Sequence, residues 1–198
     1  PSIAGDRAKA PDRAGPALVD FGTAFEAELA AIIETRLVQT NVVKRSLALR
    51  LGLAVIGRRG AGLLHLIEVG ASAGALLRFD RYGYALGGRR FGDRGSPVQI
   101  AAEWRGGTAV PDLDALPALA GVTGVDLNPL DARDADDRRW LEALVWPENR
   151  SEADLLRRAL AIVATNPPPI RAGDAIDVCP ALAEKLPPGE PRVVFHAI

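Results

Sequence analysis

The sequence predicts an α/β fold, a doubly wound, mainly parallel sheet preceded by helices and carrying an antiparallel hairpin insertion. Three observations predict it. After about residue 60, short apolar runs bounded by glycine alternate with amphipathic stretches, as βαβ units require. The run "LLHLIEVG" at 63–70 opens into a glycine-rich loop, and its length suits a buried parallel strand better than a helix. The first 60 residues instead show helical periodicity.

Taken in order, residues 1–16 are rich in Ala, Pro, Gly, Asp and Arg and read as a flexible leader. Leu18, Phe21, Phe25, Leu29, Ile32, Ile33 and Leu37 recur at helical spacing and predict one amphipathic helix. The polar break "QTN" follows, with Thr40 or Asn41 as N-cap of a second helix running to about Ile56, where "GRRGAG" stops it. These helices form an N-terminal cap over 17–60, and the break between them is placed to face a substrate. "GALLRFDRY" is expected to begin a helix behind the glycine loop. "YGYALGGRRFG" predicts a hairpin turning at Gly87-Gly88, and "PVQIAAEWRG" a further strand, giving an antiparallel insertion at about 82–107. "DLDALPALA" reads as a short helix or turn. "GVTGVDLNPLD" supplies a second strand ending at Asp126, and Asn128 is read as a cap for the next helix. "DADDRRWLEALVW" predicts a helix with acidic residues in its first turn, stopped by Pro147. A helix capped by Ser151, a third strand ending at Gly173-Asp174, a short helical stretch and the strand "PRVVFHAI" complete a domain over 61–198.

Composition narrows the function classes. With 198 residues, the chain can hold one domain with a sizeable core. Its net charge of −1 gives no strong nucleic-acid or acidic-membrane signal. Cys179 is the single cysteine, so there is no internal disulfide, and no metal site is expected. No apolar run is long enough to span a bilayer and no secretory signal stands out, so the expected location is cytoplasmic and no membrane partner is expected. The chain starts at Pro1 and contains no methionine, and "PRVVFHAI" stops at a strand, so both ends are expected to be cut.

The loop after the first strand can be read in two ways. Gly70-Ala71-Ser72-Ala73-Gly74 fits G-x-S-x-G, the nucleophile elbow of serine hydrolases, with Asp126 or Asp174 and His196 in the order of a triad. That scaffold needs earlier strands, and upstream of Gly70 only helices are predicted. A dinucleotide fingerprint fails, because Ser72 and Ala75 stand where glycines are required. The alternative is an acidic, small-residue cofactor loop: Glu68, Gly70, Ser72 and Gly74. Small residues let a backbone approach a ligand closely, and amide N–H groups face its polar end.

In this second reading the sequence resembles the class I S-adenosylmethionine-dependent methyltransferases, a Rossmann-like fold. The resemblance implies that Asp126, at the end of strand two, accepts from both ribose hydroxyls. It implies that Asp174, followed by Ala175 at the end of strand three, accepts from the adenine amino group. His196, ending strand four, is then the candidate general base near the transferable methyl. The strings "LVQTN", "LIEVGASAG", "DRYGY", "EWRGG", "GVDLNPLDARDADDRRWLEALVWPE", "RAGDA" and "VVFH" resemble an uncharacterised bacterial family, domain of unknown function 2332, over about 17–198. The expectation is a methyltransferase of unknown acceptor, with S-adenosylmethionine as cofactor. The alternative is a non-catalytic nucleoside-binding or scaffold module, and the serine hydrolase stands third. Four strands leave such a sheet incomplete on one flank, and a homodimer is the arrangement that would cover it.

Overall fold

The computed structural model describes residues 14–60, 62–105 and 107–197. The main sheet has four strands, all parallel: β1 (Leu64–Val69), β5 (Leu119–Asp126), β6 (Ile170–Ala172) and β7 (Arg192–His196), in the order β6-β5-β1-β7. The chain steps from β1 to β5 and β6 on one side, then crosses to β7 on the other. At the carboxyl ends, the crevice of such a sheet opens where the strand order reverses.

β1 is the central strand. Leu64, Leu66 and Ile67 are buried, as an apolar run with neighbours on both edges requires. One face is covered by α3 (Ser46–Arg58), whose Leu53 packs with Leu64, Leu66, Leu77 and Phe79. A second cluster is organised by α5 (Arg150–Thr165). Its Leu155, Leu156, Ala159, Leu160 and Val163 form one helical stripe against β2 (Gly83–Leu86), β3 (Arg89–Gly92) and β4 (Gln99–Ala102). Each fully buried leucine there contributes about 1.5–3 kcal/mol. The small sheet therefore shares a core with α5 and with α4 (Ala135–Ala143), which contributes Leu141.

That small sheet corrects one expectation. β2 and β3 form the hairpin turning at Gly87-Gly88, but β4 pairs in parallel with the other edge of β2, so the insertion is mixed rather than antiparallel. Strand patterns show which segments extend and leave open which edge each will join.

The N-terminal stripe is also redrawn. It is split into α1 (Ala14–Ala24) and α2 (Glu26–Thr35), because Phe25 leaves helical geometry just after Gly22 and Thr23, two weak helix formers. Neither helix buries a residue; Leu18 is 71% exposed and Ile33 78%. They do not seal the sheet as a packed cap. Residues 14–16 belong to α1, and the rest of the predicted leader lies outside the described residues.

Local caps differ too. A 3-10 turn (Val43–Arg45) precedes α3 and no side chain caps it, because Asn41 is bonded elsewhere. Asp134 caps α4 in place of Asn128, accepting from the amides of Asp136 and Asp137. Ser151 sits inside α5 rather than capping it. The glycine loop is followed by a six-residue 3-10 helix (Leu76–Arg81) kinked at Arg78 rather than by an α-helix. Buried Tyr82 and Tyr84 fasten this segment: their hydroxyls donate to Ala75 O at 2.6 Å and Phe79 O at 2.8 Å. "DLDALPALA" forms a turn at 113–114 rather than a helix, and β5 begins at its Leu119. The last helix is α6 (Ala175–Lys185).

Candidate functional site

Where β1 ends, the chain curls back onto β5. Gly70 N donates to Val125 O at 2.8 Å, and Gly70, Ser72 and Gly74 all take positive φ of 75°, 51° and 78°. Ser72 pays for a conformation that disfavours side chains with a set of bonds. Its amide donates to Asp126 Oδ2 at 2.7 Å, its carbonyl accepts from Leu130 N at 3.3 Å, and its hydroxyl accepts from Asn41 Nδ2 at 3.0 Å. Close approach is enforced at Gly124 of β5, where a methyl would come within 2.6 Å of Ala71 Cβ.

The structure brings Gly70, Ser72, Asp126, Asp174 and Ala175 to one cleft of about 510 Å³, at the carboxyl ends of β1, β5 and β6. That volume suits a drug-sized ligand. A methyl added at Gly70 would meet nothing within 4 Å, so this backbone faces open space. Asp174 lies exposed at the rim and also caps α6, accepting from Ile176 N at 2.9 Å.

The other proposed residues fall outside the cleft. Gly74 is buried against Pro168, which lies 2.3 Å from where its Cβ would stand. His196 lies exposed on a separate groove of about 350 Å³ between α3 and β7, lined by Leu49, Leu53, Ile56, Val193 and Phe195. Ala197 lines both spaces. Glu68 sits behind the loop, 2% exposed, beside an enclosed space of about 10 Å³ shared with Thr40, Asn41 and Arg45. That is room for about one water. Burial, and then the charge of Asp126, push the Glu68 carboxyl up to about 8, and its Oε2 has no partner among the described residues.

Sequence reasoning located the polar break at 39–41 but missed what it does. Gln39 Nε2 donates to Asp126 Oδ1 at 2.8 Å and to Asn128 O at 3.0 Å. Asn128 N donates to the same Oδ1 at 2.8 Å. Asp126 is thus 8% exposed and holds Ser72, Gln39 and Asn128 together. The segment is pinned at its root by the Arg36–Asp137 ion pair at 2.7 Å and by Trp140 Nε1 donating to Leu37 O at 3.0 Å. Trp140 is therefore a brace, while Trp146 is 75% exposed and outside the cleft.

A hydrolase arrangement is not assembled. Ser72 is 2% exposed, and the Asn41 amide that meets its hydroxyl can only donate. His65 faces Glu190 at 2.5 Å, and His196 faces the other groove. Among the described residues, no cluster of three or more His, Cys, Asp or Glu could hold a metal. No helix among them is long and apolar enough to cross a membrane.

A family model described as "uncharacterized protein conserved in bacteria", domain of unknown function 2332, matches residues 1–198. The chain belongs to that family. No curated protein and no solved structure matches it. In this member of domain of unknown function 2332, the loop 70–74, the carboxylate of Asp126 and the segment 36–42 form one hydrogen-bonded unit at the mouth of the cleft.

Proposed function

We propose that this chain is Rossmann-like and binds S-adenosylmethionine in the cleft at the ends of β1, β5 and β6, for methyl transfer to an acceptor yet to be identified. The observation that carries the reading is Asp126, the last residue of β5, set against the positive-φ loop of β1 at the point where strand order reverses. An acceptor-only carboxylate there suits a sugar diol. Gly70 leaves space for close backbone approach, and Asp174 at the rim of β6 can accept from an exocyclic amine. When bound, S-adenosylmethionine supplies an electrophilic methyl on a sulfonium. The chain's own part is to orient ligand and acceptor, and proximity then supplies much of the rate. His196, which lines the adjoining groove, is the general base in this reading, for an acceptor that enters on that side.

One observation favours a second reading, a non-catalytic module. The oxygens of Asp126 are already bonded by the chain itself. Calorimetric titration with S-adenosylmethionine and S-adenosylhomocysteine, beside Asp126→Ala checked for folding by circular dichroism, tests the first. Micromolar binding that weakens tenfold or more in the variant supports it. No heat with either ligand moves the function to the second.

A further inference from the structure

We infer that Gln39 is a built-in competitor for the Asp126 carboxylate, and that the strap 36–42 is a lid that must release Asp126 before a vicinal diol can bind there. This rests on the nucleoside reading of the cleft and adds to it how entry is controlled.

A carboxylate offers about four lone-pair positions. On Oδ1 both are taken, by Gln39 Nε2 and Asn128 N; on Oδ2 one is taken, by Ser72 N. A diol needs two, so one more must be freed. The Ser72 and Asn128 bonds come from main-chain amides fixed by the loop and by the turn after β5. The Gln39 bond comes from a side chain with three rotatable bonds, and it is the one that can leave.

The pose of Gln39 is also incomplete. Its amide cannot be turned round, because Asp126 Oδ1 and Asn128 O are both acceptors and require the nitrogen. That leaves Gln39 Oε1 buried with no partner among the described residues. Swinging outward would give this oxygen to water, so the closed pose is poised rather than locked. The strap is held at its two ends, through Arg36 and Leu37 on α4 and through Asn41 on Ser72, while its middle lines the cleft. Such an arrangement can open about fixed ends without unfolding the sheet.

The test titrates wild type and Gln39→Ala with S-adenosylhomocysteine, adenosine and 2′,3′-dideoxyadenosine, and follows amide hydrogen exchange over 36–42. The expected result is a tenfold or greater gain in affinity of the variant for the two diol ligands and none for the dideoxy analogue. Exchange of the wild-type strap should rise when a diol ligand is added. If the gain is seen with adenosine and S-adenosylhomocysteine does not bind, the lid stands and the methyl-donor reading falls. If wild type binds S-adenosylhomocysteine and the variant binds it equally or more weakly, the lid is overturned and the cofactor reading stands. If neither protein binds any of the three, both fall. Gln39→Leu, which fills the same space and donates nothing, replaces Gln39→Ala should the latter fail to fold.

Discussion

Ser72 N meets Asp126 Oδ2 at 2.7 Å, and this bond ties the loop after β1 to the end of β5. The carboxylate is thus a structural clasp before it is anything else. Asp126→Ala leaves the buried Ser72 amide unpaired and releases that of Asn128. The expected cost is about 1–3 kcal/mol, read as a lower urea midpoint at pH 7 with the slope unchanged. An unchanged midpoint would mean the loop holds its shape without the clasp.

Glu68 predicts a pH dependence. In the folded chain burial, and then the Asp126 charge, keep its proton on up to about pH 8, whereas unfolding returns it to its ordinary value of 4.5. Between those values the folded state binds more protons, so stability falls as pH rises. The penalty is absent below about pH 4.5 and complete above about pH 8, reaching on the order of 5 kcal/mol. Glu68→Gln, neutral at every pH, should flatten the profile between pH 5 and 8.5 and be the more stable protein at the alkaline end.

Gly124 and Gly74 are among the glycines required by contact. Alanine at Gly124 would press on Ala71 Cβ at 2.6 Å, and alanine at Gly74 on Pro168 Cγ at 2.3 Å with an unfavourable φ besides. Overpacking of this kind costs about 1–3 kcal/mol. Both variants should melt lower, whereas Gly52→Ala, which meets nothing within 4 Å inside α3, should not.

Ser72 should not react with a fluorophosphonate probe, since it is buried and its hydroxyl faces a donor rather than a base. Stoichiometric labelling at Ser72 would revive the hydrolase reading. Ser72→Gly relieves the positive φ while losing the Asn41 bond and is expected to be close to neutral. Ser72→Ala keeps the strain and loses the bond, at about 1 kcal/mol.

The caps give a paired test. Asp134→Ala removes an acceptor for two amides at the start of α4 and lowers the melting temperature. Ser151→Ala, inside α5, leaves it unchanged.

What could be read from the sequence follows the physics of each signal. The central strand β1 is legible because a buried strand must be a short apolar run bounded by breakers, as "LLHLIEVG" is, whereas β6 and β7 bury no residue and are marked only by their short extended runs. The α5 stripe was legible for the same reason at helical period. Asn41, Asn128 and Ser151 each have the chemistry to cap, and only tertiary neighbours decide where a polar side chain is spent. Asn41 is spent on Ser72. The single amphipathic helix over 18–37 failed because periodicity does not register that Phe25 breaks the helix. The site was half legible. Asp126, Ser72 and Gly70 converge as their strand ends foretold, but the Gln39 contact joins residues 87 apart and leaves no mark in either segment. Glycine at 70 and 74 looks alike in sequence, and the structure sends one to the cleft and the other under Pro168.

The place of β1 at the centre of its sheet has a consequence for biosynthesis. His65 pairs with Gly121 on one side and Arg192 on the other, so the strand leaves the ribosome long before either neighbour exists. At about 5–20 residues per second, Leu64, Leu66 and Ile67 stay without their final neighbours for on the order of ten seconds. During that interval a nascent chain presents its stickiest strand to whatever holds newly made proteins, and a slow, late-closing folding step is expected from so many distant pairings.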